Sequence, residues 1–137
     1  MEFISAAEFL EQPKEVQEVF MEWWKPSIGD LYCNLYNGQQ DNILVVNNVQ
    51  LEFFKTFSND IKKYGVLLFT EGQLRKFIED KTACKLQIYY NGDIGYTIQI
   101  GYSDSFAKYE YDMHEDLGED LLQAYWKVAC EIAKESV

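Results

Sequence analysis

The sequence predicts an α+β fold: N-terminal helices, a mainly antiparallel sheet with a C-terminal three-strand meander, and a closing amphipathic helix packed on that meander. Three observations predict it. Apolar residues recur at helical spacing at Val16, Val19, Phe20, Trp23 and Trp24, and again at Leu121, Leu122, Tyr125, Trp126, Ala129, Ile132 and Ala133. Between these stretches, Leu86, Ile88 and Tyr90 alternate with Gln87 and Tyr89, as Tyr96, Ile98 and Ile100 do with Thr97 and Gln99. That is the pattern of a sheet with one buried and one wetter face. No repeat, low-complexity tract or Gly/Ser/Pro-rich linker divides the 137 residues, so the expectation is one domain over residues 1–137.

Each element follows from local signals. Residues 5–12 read as a short helix that ends at Pro13, and a second helix starts there, because proline is accepted in a first turn but not in a helix interior. Pro26 and Gly29 stop it. Residues 30–35 and 42–46 read as short strands around the turn former Asn37-Gly38. Residues 47–63 have no consistent period: Phe53, Phe54 and Phe57 argue for packing, Ser58-Asn59-Asp60 for a turn or cap, and no element is assigned there.

Thr70-Glu-Gly-Gln73 matches a capping box and opens a helix to about residue 80, with Leu74, Phe77 and Ile78 inward. Three strands follow, 85–90, 95–102 and 107–113, joined at the hairpin signal Asn91-Gly92-Asp93 and at Ser103-Asp104-Ser105. The closing helix is expected over about 116–135, with Glu115, Asp116, Glu119 and Asp120 at its start, where the helix dipole favours negative charge.

Composition excludes several function classes. Apolar residues at 47% and aromatics at 16% supply a packed core without disulfides or metal. Cys33, Cys84 and Cys130 form no CxxC pair and read as reduced, buried small residues. A formal charge of -11 and a pI near 4.4 argue against direct nucleic-acid binding and against an anionic membrane surface. The start of the chain lacks the basic, continuously apolar character of a secretory signal, and the longest apolar candidate is the short run 65–69. The expected location is cytoplasmic.

Chemistry is sparse. His114 is the one histidine, there is no G-x-S-x-G turn, and neither phosphate-binding glycine pattern occurs. The run from Asp112 to Asp120 holds carboxylates but lacks the ligand order of an EF-hand. The expectation is a non-enzymatic protein with no metal and no cofactor.

Charge layout provides the candidate site. Glu8, Glu11, Glu15, Glu18 and Glu22 are spaced 3, 4, 3, 4, and Glu15, Glu18 and Glu22 fall safely on one helix. None of these three has a Lys or Arg four residues later. Residues 1–25 carry six acids and two bases, residues 106–137 eight and three, and residues 51–82 five and six. Negative charge is thus concentrated toward the two ends. If those ends pack side by side they make one negative face, with Glu15, Glu18, Glu22, Glu115, Asp116, Glu119 and Asp120 as its binding residues. An alternative is a small-ligand, nucleotide-like site, in which Lys62, Lys63, Arg75 and Lys76 meet a phosphate or carboxylate and Tyr89 and Tyr96 belong to an aromatic sheet face shared with Tyr102, Tyr109 and Tyr111.

Trp24-Lys-Pro26-Ser-Ile-Gly29-Asp30, Leu68-Phe-Thr70-Glu-Gly-Gln73-Leu74 and Leu121-Leu-Gln-Ala-Tyr-Trp126 resemble small proteins encoded by phages and prophages of low-GC Gram-positive bacteria, with Phe69 where their P-T-x-x-Q-L helix start has proline. The resemblance implies an accessory product of mobile DNA acting inside a bacterium by binding a host or phage protein. It supplies no catalytic residue. The acidic surface would suit a basic partner of the nucleic-acid-binding kind, such as a nuclease or another defence protein.

Overall fold

A computed structural model of the chain describes residues 2–34, 43–47, 65–101 and 111–137. The described residues form four helices and two three-stranded antiparallel sheets, the mixed α+β class that the sequence predicts. Contacts divide the chain into two compact units, residues 4–69 and residues 70–136 with the first three residues.

In residues 4–69, α1 (Ala6–Leu10) begins at a full capping box. The Ser5 hydroxyl accepts from the Glu8 N–H at 3.1 Å, and the Glu8 carboxylate accepts from the Ser5 N–H at 3.3 Å. Pro13 is the N-cap of α2 (Lys14–Trp23), at the break the sequence predicts. Gln17 ties the two helices: its amide donates to the carbonyls of Leu10 and Gln12, at 3.3 and 2.8 Å. Val16 and Phe20 are buried, as is Trp24 just past the helix end. Phe9, Phe20 and Phe69 pack as one aromatic cluster, with ring centroids 5.1–6.2 Å apart.

The turn after α2 explains why Trp24 and Asp30 occur together. One oxygen of the Asp30 carboxylate accepts from the Trp24 indole N–H at 2.8 Å and from the Ser27 N–H at 2.9 Å. The chain then enters β1 (Leu31–Asn34), the centre of a sheet flanked by β2 (Ile43–Val45) and β3 (Gly65–Leu67). β3 is an element the sequence reading lacks. Its three residues are wholly buried, as are Leu68 and Phe69, so the run shows no alternation. Asn37-Gly38 and residues 48–63 lie outside the described residues.

In residues 70–136, Thr70 caps α3 (Glu71–Thr82) with the expected capping box. Ala83 ends it in the left-handed conformation, at φ +57°. The meander β4 (Lys85–Asn91), β5 (Gly95–Gly101), β6 (Tyr111–His114) follows, in that spatial order. Residues 107–110 of the expected third strand are outside the described set.

Two expectations need correction. The closing helix, α4 (Leu121–Glu135), begins five residues later than expected, with the Asp120 carboxylate accepting from the Gln123 N–H at 3.0 Å. The reason is a close backbone approach. Gly95 (φ +77°) and Gly118 (φ +87°) form a parallel bridge, the Tyr96 N–H donates to the Gly118 carbonyl at 2.8 Å, and Leu117 donates back to Tyr96 at 3.1 Å. This holds residues 117–118 out of any helix. A Cβ on Gly95 would stand 2.3 Å from the Gly118 oxygen. The second correction concerns burial on α4: Ala124, Val128 and Cys130 are buried besides the expected stripe. The helix packs on α3 as well as on β5, so a single apolar side understates what it covers.

No helix among the described residues is long and apolar enough to cross a membrane.

Candidate functional site

The acidic candidates occupy two places, one in each unit. On α2 the amphipathic pattern that buries Val16 and Phe20 leaves Glu15, Glu18 and Glu22 exposed. At 1.5 Å rise per residue, neighbouring carboxylates are roughly 4.5 and 6 Å apart along the axis. Among the described residues none of the three forms a salt bridge. The longer stripe breaks where proline predicts: Glu8 is committed to the cap of α1, and Glu11 is that helix's C-cap.

Glu115, Asp116, Glu119 and Asp120 are likewise exposed, but they are not residues of the closing helix. The first three lie in the connector between β6 and α4, where Asp116 takes φ +57° and Gly118 is bridged to Gly95. Asp120 is the helix cap, so its carboxylate has a structural use that the others lack. His114, at the end of β6 opposite Ile98, is half-buried. Among the described residues no three His, Cys, Asp or Glu side chains gather as a metal site requires.

Arg75 and Lys76 of the alternative site are exposed on α3 and line an open groove of about 390 Å³, together with Glu79, Asp80, Cys84 and Lys85. Their charge is largely answered within the groove. Glu79 accepts from Arg75 at 2.8 Å and from Lys85 at 2.8 Å, and Lys76 stands 3.7 Å from Asp80. Hydrogen bonds from Lys85 and Arg75 hold the Glu79 carboxyl below its ordinary range, and the Glu79 bond raises Arg75. Lys62 and Lys63 lie outside the described residues.

The aromatic half of that site does not assemble on one face. Tyr89 pairs in register with Thr97 and Tyr90 with Tyr96, so Tyr89 and Tyr96 project from opposite faces of the sheet. Tyr89 is exposed and its hydroxyl donates to Gln87, whereas Tyr96 is half-buried with its ring centroid 4.9 Å from that of Tyr90. Tyr102 and Tyr109 lie outside the described residues. The three cysteines are free and buried, and burial pushes the Cys130 thiol up to about 12, away from nucleophilic use.

Sequence reasoning missed Glu79 and Lys85 as groove residues. The Arg75–Glu79 and Lys76–Asp80 spacings are legible as i,i+4 pairs. Lys85 is not, because its approach depends on the left-handed turn at Ala83.

No family model, curated protein or solved structure matches this chain.

Proposed function

We propose that this chain is a non-enzymatic phage or prophage accessory protein of the bacterial cytoplasm, binding a basic protein partner through exposed carboxylates and thereby inhibiting a nucleic-acid-binding defence protein. The observation that carries this reading is the row Glu15, Glu18, Glu22: three exposed carboxylates on one helix, none in a salt bridge among the described residues. Glu115, Asp116 and Glu119 add exposed charge of the same sign in the other unit. Carboxylates left without internal cations keep their attraction for an incoming Lys or Arg, and the field steers such a partner at low ionic strength.

Spacing defines the kind of recognition. Duplex DNA offers a charge every ~1.7 Å of axis, several times denser than the α2 row. The row therefore matches individual basic side chains of a partner rather than imitating a duplex. The groove at Arg75, Lys76 and Lys85 is a weaker candidate for an anionic ligand, since Glu79 and Asp80 already engage those cations.

The test is capture of basic proteins from a host lysate on immobilised wild-type protein and on Glu15→Lys/Glu18→Lys/Glu22→Lys, with folding checked by circular dichroism. The reading requires a basic partner retained at low salt, released at high salt and lost from the variant. Retention that ignores charge reversal contradicts it, as does stabilisation of the protein by nucleotides in a thermal-shift series, which would move the function to the groove.

A further inference from the structure

We infer that β4 is a self-association edge: two copies of this chain pair antiparallel through Lys85–Asn91, joining their three-stranded sheets into one of six strands. Among the described residues β4 is the outer strand of its sheet and, over seven residues, it carries one charged side chain, Lys85, and no proline. Outer strands of soluble proteins are commonly protected by several charges, proline or a bulge. β4 has little of this, and Tyr89 and Tyr90 are both exposed on it.

The direction of its free backbone groups follows from the neighbouring strand. Tyr96 donates to Gly118 and accepts from Leu117, so its N–H and C=O point away from β4. Its register partner is Tyr90, and in an antiparallel ladder such pairs alternate with hydrogen-bonded ones. Leu86, Ile88 and Tyr90 therefore direct their N–H and C=O groups to the open edge. Gln87 and Tyr89 direct theirs into the sheet.

Self-complementarity identifies a second copy as the occupant. In an antiparallel pairing centred on Ile88, Ile88 faces Ile88, Leu86 faces Tyr90, and Gln87 faces Tyr89. Apolar side chains meet apolar or aromatic ones on the face that Leu86, Ile98 and Ile100 share, and on the other face the partner's Gln87 meets the tyrosine type it already bonds within its own strand. At each end Lys85, the one charged residue of the strand and already paired with Glu79 of its own chain, faces the partner's Asn91, so no like charges oppose each other across the pairing. A twofold axis through the Ile88 pair makes each of the other contacts twice.

A strand pair of this kind buries less than about 1,200 Å², so association is read over a concentration series from low micromolar to near-millimolar. Sedimentation of the full chain should show the mass rising from 16.1 kDa toward twice that value. Ile88→Pro removes an N–H that the internal ladder does not use and should hold the protein at the monomer mass with its circular dichroism unchanged. If that variant does not fold, Gln87→Lys/Tyr89→Lys replaces two exposed side chains, sets lysines opposite lysines and should likewise leave monomer. Ile88→Cys should give a disulfide-linked dimer on oxidation, because paired residues across such a ladder lie about 5.5 Å apart. A wild-type chain that stays monomeric throughout, or a dimer that survives the folded blocking variant, overturns the inference. Neither result bears on the acidic row of α2.

Discussion

Gly95 is the residue at which the backbone leaves least choice. Its positive φ and the approach of the Gly118 oxygen to 2.3 Å from a built Cβ act together, and neither backbone can retreat without breaking the Tyr96–Gly118 bond. Gly95→Ala is expected to cost more than about 2 kcal/mol in urea unfolding. Ala83 presents the opposite case. A residue with a Cβ occupies the left-handed C-cap that glycine usually fills, so Ala83→Gly is expected to stabilise by about 0.5–1 kcal/mol, after allowing for glycine's freer unfolded state.

At the scale of elements, Glu79 pairs with Arg75 within α3 and connects that helix to the start of β4 through Lys85. Its folded pKa lies below the unfolded one, so its contribution is complete above the ordinary glutamate range and is lost as pH falls through the folded value. Glu79→Gln should therefore flatten the pH dependence of stability below about pH 4.3 and leave the shape near neutrality unchanged. Chemical denaturation at a series of pH values checks this. Legibility also divides at this scale. The Pro13 break, the Thr70 capping box and the hairpin near Asn91 are readable because each is decided by a few adjacent residues. The Ser5–Glu8 box is equally local and could have been found from its S-x-x-E spacing. β3 was not readable, because what makes it a strand is pairing with β1, over thirty residues away in sequence. The start of α4 was hidden for the same reason: acids at 115–120 suit a first helical turn, and only the bridge to Gly95 excludes one.

On the scale of the whole molecule, the net charge of -11 resolves into particular carboxylates with different duties. Glu8 and Asp120 cap helices, Glu79 and Asp80 answer cations, and Glu15, Glu18, Glu22, Glu115, Asp116 and Glu119 remain exposed without a salt bridge among the described residues. The exposed α2 row was legible from the missing cations at i+4. The division of Tyr89 from Tyr96 was legible too, since the alternation sets Tyr89 with Gln87 and Tyr96 with Ile98 and Ile100, and the strand register agrees with it. The measurement that tests the central claim most directly is the salt dependence of partner binding by the wild-type chain and by the triple Glu15, Glu18, Glu22 charge reversal. Binding that weakens steeply with salt in the wild type, and is both weaker and flatter in the folded variant, is the predicted result. Equal affinity and equal salt slope for the two proteins would contradict it.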